Sequence, residues 1–212
     1  MTKNVVTMDE CYLRVFSDTT YSEWYKSASR QQKSLLKKIY SMESELFGDL
    51  LFEEPLEEDL LDPDNPPLMS LDDDLPLDGI RISFEPDFEH EGVYWQRLHH
   101  IVMKSEKPFD AVIHEVLHAY DVYYEQRRPL HDFWTIRLYS RLLKKISNLD
   151  QICIIFVNVG VGFGTEMGNT HSMLFLLKSL DIDLRLDIPL GTTFGYRLAE
   201  SISKLDKRED AA

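Results

Sequence analysis

The stretch FDAVIHEVLHAYDVYYE, residues 109–125, decides how the rest of the chain is read. Phe109, Val112, Ile113, Val116, Tyr120 and Tyr123 recur at helical spacing, which predicts an amphipathic helix over the whole stretch. Residues i and i+4 lie one above the other on a helix. His114 and His118 therefore aim two imidazoles at one point, as a tetrahedral zinc ion requires. Glu115 follows the first histidine and can reach a zinc-bound water, whose pKa the metal lowers toward neutrality. HEVLH is thus an HExxH motif with a mechanical reason for each defining position.

Two imidazoles do not complete a site. Asp121 and Glu125 share the histidine face, but a helix rises about 1.5 Å per residue, so residues 114 to 121 spread over about 10 Å. Zinc bonds are only about 2 Å long. One straight helix cannot close such a site, and the chain must turn and return. Pro129 disfavours helix at Arg128 and marks the turn. The first candidate afterwards is His131, expected at the start of a second helix running to about Ile146. The expected metal ligands are therefore His114, His118 and His131. Asp121 and Glu125 are expected to support them or to face solvent.

Upstream, residues 8–18 suggest a short strand or coil. Leu35, Ile39, Met42 and Leu46 predict a helix from Ser22 to Phe47, with Gly48 as its stop. GIRISFEP alternates Ile80, Ile82 and Phe84, which predicts a strand. Residues 93–103 fit a strand or a helix. Downstream, ICIIFVNV (152–159) predicts a buried strand. The glycine-rich GVGFGTEMGN follows, then a helix from Thr170 to Leu180, a short strand near 183–188 and a helix from about Phe194 to Leu205. GVGFG has threonine at position 165 where a GxGxxG fingerprint needs glycine, so it reads as a turn or flexible loop rather than a nucleotide cradle. His171, just after it, could assist catalysis but is read first as an ordinary helix-start histidine. His99 and His100 are adjacent and so face different ways, which makes them a poor metal pair.

The composition is that of a globular protein, with 43% apolar residues and no apolar run long enough to span a membrane. Cys11 and Cys153 form no CxxC pair, which leaves neither a disulfide framework nor a cysteine zinc ribbon. The opening MTKNVVTMDECYLRVF lacks a secretory signal, so an intracellular location, cytoplasmic or nuclear, is expected. Of the net charge of −14, ten acidic residues and no basic ones fall in residues 53–74. Arg127 to Lys145 holds six basic residues and one acidic one. The acidic balance argues against general nucleic-acid affinity, while the basic 127–145 stretch leaves room for a weak local contact.

HEVLHAYDVYYEQRRPLHDFW resembles the SprT-like (spartan-type) zinc metalloproteases, in which an HExxH helix breaks and a third histidine opens the next helix. SMESELFGDLL and GIRIS resemble that family's elements ahead of the active-site helix, so the likeness covers roughly residues 30–146. Asp132 stands where the family has glycine, and no zinc ribbon can form, so the chain would be a divergent member. The resemblance implies a zincin-like α+β fold, a small sheet packed on the HExxH helix, here with a C-terminal α/β extension. The expected organisation is an N-terminal helical part of the core (1–52), an acidic proline-containing linker (53–76), the zinc-binding catalytic core (77–150) and the extension (151–212). The expected function is zinc-dependent hydrolysis of peptide bonds in a protein or peptide substrate, with Zn2+ on the three histidines and Glu115 as general base. The alternative is a non-catalytic zinc-binding scaffold that keeps the same site.

Overall fold

The computed structural model describes residues 5–16, 20–52, 75–163, 171–195 and 198–209. They form a mixed α+β protein, mostly helical, with one three-stranded sheet. The acidic segment 53–74 and residues 164–170 of the glycine-rich stretch lie outside the described residues. The chain divides into two compact units, Met1–Ala119 and Tyr120–Ala212.

The first unit begins with helices α1 (Met8–Val15), α2 (Tyr21–Ser27) and α3 (Arg30–Phe52). Each start is fixed by a reciprocal cap. Thr7 pairs with Glu10 and Thr20 with Glu23. Ser29 Oγ accepts the Gln32 N–H, while Ser29 N–H donates to Gln32 Oε1 at 2.6 Å. Such boxes satisfy N–H groups that a helix start otherwise leaves unpaired. The expected strand or coil at 8–18 is therefore α1. The expected single helix from Ser22 is two helices, because Ala28 turns extended (ψ 139°) and Ser29 starts a new one. Gly48 does not stop α3, which continues to Phe52.

The sheet has the order β1 (Arg81–Phe84), β3 (His100–Met103), β2 (Gly92–Trp95), with β1 parallel and β2 antiparallel to β3. The strand expected in GIRIS is β1, with Ile80 and Ile82 fully buried. The open question over residues 93–103 resolves as β2, a tight turn of 3-10 helix at Gln96–Leu98, and β3. His99 takes a left-handed conformation (φ 46°) to end that turn, and its Nδ1 meets the Tyr94 hydroxyl at 2.9 Å. His100 sits 2.7 Å from Ser83 Oγ, and burial together with nearby Arg81 pushes its pKa down to about 3. Both histidines are thus structural. Val6, Cys11, Phe88, Val93 and Val102 form a buried cluster that seats α1 on the sheet. Helix α4 (Phe109–Glu125) matches the expected bounds, and the division between the units falls inside it.

The second unit holds the end of α4, then α5 (Arg128–Leu142), α6 (Leu149–Phe163), α7 (Met173–Leu186) and α8 (Leu198–Glu209). Of the two strands expected in this part, 152–159 is helical and 183–188 is the end of helix α7 (to Leu186) followed by a left-handed cap at Asp187, and the described residues beyond 150 hold no strand. The ICIIFVNV run lies inside a fifteen-residue helix whose Ile154 and Val157 are 58% exposed, so it is not a fully buried element. A short apolar run alone cannot separate the two states. Helix α7 is the core of this unit, with every residue from Leu174 to Asp183 buried.

Burying α7 all round requires its charges to be paired. Lys178 Nζ lies 2.9 Å from Asp181, which also meets Arg185 Nε at 2.8 Å and Arg141 Nη2 of α5 at 3.0 Å. Asp183 accepts the backbone N–H groups of Gly191 at 2.7 Å and Thr193 at 2.9 Å, which ties the following turn to the helix. Removing one partner of a buried ion pair typically costs about 3–5 kcal/mol. Asp181→Ala is therefore expected to lower the unfolding free energy by roughly that amount in urea titrations, with little change in slope.

Candidate metal centre

Helix α4 buries its apolar stripe so thoroughly that Val112, Val116 and Tyr124 have no exposure. This fixes the helix's rotation, and with it the direction of the opposite stripe, residues 114, 118 and 121. The His114 and His118 rings lie 4.9 Å apart, edge to face, and each is only 8% exposed.

Glu115 is placed by the sheet. Gly92 opens β2 beside it, and a Cβ at that position would lie 2.8 Å from Glu115 Cγ and 3.0 Å from its Oε1. The absence of a side chain at position 92 therefore makes room for the carboxyl. The backbone N–H of Tyr94, on the same strand, donates to it. Burial pushes the Glu115 pKa up to about 8, and the Tyr94 hydrogen bond pulls the other way. Without a cation nearby this carboxyl is largely protonated at neutral pH.

Asp121, one turn beyond His118, is 4% exposed and is spent on one partner. It accepts the hydroxyl of Ser172 and, at 3.3 Å, the Ser172 backbone N–H. Ser172 is the N-cap of α7, and its Oγ accepts the Phe175 N–H at 3.1 Å. Asp121 thus holds the start of α7, and His171 is the residue before that cap. The His171 ring packs against Phe175 at 4.4 Å and Phe194 at 5.1 Å. Burial and nearby Glu125 push the Asp121 pKa up to about 7, opposed by its bonds to Ser172. Glu125 is exposed.

One ligand nitrogen each from His114, His118 and His171 lie within 4.8 Å of one another. On a tetrahedral zinc with bonds of about 2.0–2.1 Å, ligand nitrogens stand about 3.4 Å apart, a separation of the same scale. Three imidazoles are also a donor set that suits zinc. The residues present fit the metal.

The expected third ligand, His131, is not in this group. It lies in the first turn of α5, with Nδ1 3.4 Å from the Asp132 carboxylate and Nε2 buried without a hydrogen-bond partner among the described residues. His171, read from sequence first as an ordinary helix-start histidine that could assist catalysis, is in the group instead. The cap serine beside it and the buried aspartate that holds that serine belong to elements some fifty residues apart. The tyrosines of α4 are packing residues, with Tyr120 at 1% and Tyr123 at 8% exposure. The basic side chains of 127–145 are partly committed to packing. Arg127 covers the Tyr123 ring at 3.8 Å, Arg137 lies 5.8 Å from the Phe133 and Trp134 rings, and Arg141 pairs with Asp181.

The chain matches no protein-family model, no curated protein and no solved structure. No helix among the described residues is long and apolar enough to cross a membrane.

The geometry separates the two candidate third ligands. Metal content of the purified protein, read by mass spectrometry after adding zinc back, is expected to be about one ion per chain. It should be lost in His118→Ala and His171→Ala and kept in His131→Ala. The reverse order for the last two variants would return the third position to His131.

Proposed function

We propose that this chain is a zinc-dependent metallopeptidase, a divergent SprT-like protein that hydrolyses peptide bonds. The observation that carries the reading is the gathering of His114, His118 and His171 around one point beside a buried glutamate. His114, His118 and His171 would hold the metal with three imidazoles, the number of protein ligands that catalytic rather than structural zinc takes. A zinc ion so held supplies a Lewis acid and brings the pKa of a coordinated water to near neutral.

The remaining roles fall to the chain's own groups. Glu115 is the general base: it takes the proton from the attacking water and hands it to the leaving amine. A nearby cation favours its ionised form, reversing the upward push of burial. The Tyr94 N–H holds the carboxyl in place from β2, and Gly92 gives it room. Asp121 acts through Ser172, fixing where α7 starts and so where His171 stands.

The second reading is a non-catalytic zinc-binding module. The observation in its favour is the depth of Glu115, which is 7% exposed and already bonded to strand β2. Glu115→Gln distinguishes the two. Under the peptidase reading it keeps the metal and lowers cleavage of an unfolded protein substrate such as casein by at least about a hundredfold, the scale of general-base catalysis. Cleavage at the wild-type rate in this variant would remove Glu115 from the mechanism. A zinc-loaded wild type that cleaves no substrate would favour the binding module.

A further inference from the structure

Away from the histidine face, the first unit carries a groove of about 570 Å³ between α2 and α3. Tyr21 and Tyr25 of α2 and Tyr40 of α3 supply aromatic rings, and Arg30, Lys33 and Lys37 of α3 supply charge. Positions 30, 33 and 37 follow i, i+3, i+7 spacing and so form one stripe along the helix. Among the described residues, no carboxylate lines the groove. Arg30 and Lys37 make no ion pair among the described residues. Lys33 Nζ lies 5.2 Å from the Tyr25 ring centre and donates to the Lys26 carbonyl at 3.4 Å. The carboxylate of Glu23, on α2, is committed to the Thr20 cap. In a chain of net charge −14, this groove is a local inversion of sign that the metal reading does not use.

We propose that the groove binds a nucleoside polyphosphate, with the phosphate chain along Arg30, Lys33 and Lys37 and the base against the tyrosine rings. Arg30 and Lys37 are about 10 Å apart along the helix axis, too far to converge on a single phosphate but suited to a chain of two or three. Tyrosine faces stack on a base at about 1–3 kcal/mol each, which a bare inorganic anion cannot exploit. The volume falls in the usual range for small-ligand sites. A long nucleic acid would run beyond the groove into the field of a strongly acidic protein, which opposes it. Tyr21, Tyr25 and Tyr40 are 36%, 44% and 37% exposed, so ring surface remains for a ligand to cover.

Isothermal titration of the full chain with ATP tests this, using adenosine, tripolyphosphate and a single-stranded oligonucleotide as comparisons. Protein stripped of metal with EDTA and then desalted separates this site from the histidine centre. ATP is expected to bind the stripped protein more tightly than adenosine or tripolyphosphate does. Arg30→Ala and Lys37→Ala are each expected to weaken ATP by roughly tenfold, the scale of one charge-assisted hydrogen bond. Both side chains are exposed, so the variants should melt like the wild type. Tyr25→Leu should weaken ATP and leave tripolyphosphate unchanged. Any of three results would overturn the proposal: no ATP binding at millimolar concentration, tripolyphosphate binding as tightly as ATP, or the oligonucleotide binding more tightly than ATP.

Discussion

Helix α4 can bury its apolar stripe in only one rotation, and that rotation sets the direction of residues 114, 118 and 121. Two of these are imidazoles, and the third is a carboxylate that reaches the cap of another helix. Because all three sit on one uninterrupted helix, the distance from the histidine pair to Asp121 is fixed by helix geometry alone. The Asp121–Ser172 hydrogen bonds then transmit that fixed position to the start of α7. An aspartate so deeply buried would be costly without partners. The same bonds therefore serve stability and placement together.

How much of this could be read from the sequence depends on how local each signal is. The α4 helix was legible to its last residue because its apolar periodicity runs unbroken through Tyr123. The β1 strand was legible from the alternation of Ile80 and Ile82. The starts of α1, α2 and α3 were equally local but went unread. TMDE, TYSE and SRQQ each place a hydroxyl residue three positions before Glu or Gln, the spacing of a capping box. Reading the last two would have split the long helix at Ala28 and Ser29. The Gly48 stop failed for the opposite reason. A glycine costs a helix about 1 kcal/mol relative to alanine, which the burial of Leu46, Phe47 and Leu50 outweighs.

The strands expected after residue 150 failed on the physics of burial. ICIIFVNV and the stretch near 183–188 are rich in β-branched or alternating residues, and in isolation both fit a strand. In the folded chain the first lies inside a longer helix, and the second is the last turn of α7 and its cap. For α7 the deciding partners lie on other elements: Asp181 can be buried because Arg141 of α5 reaches it, and Asp183 because the backbone N–H groups of Gly191 and Thr193, in the turn beyond the helix, meet it. A sequence window cannot see those partners, so it counts the charges as evidence against a buried helix.

The third histidine brings both limits together. Helix rise carries the later residues of α4 out of reach of the histidine pair, so sequence reasoning looks beyond that helix for a third ligand. It then takes the first histidine after the turn, since closeness along the chain is the only measure of closeness it has. His131 does open the next helix, yet the group within reach of the pair contains His171, about forty residues further on. His171 stands immediately before a helix start, the Ser172 cap of α7, whose hydroxyl accepts the Phe175 N–H. The signal was present as Ser172 followed by an apolar helix. It acquires meaning only with the buried acceptor on α4 that anchors the cap, and Asp121, read from sequence as a solvated neighbour or a supporting residue, is that acceptor.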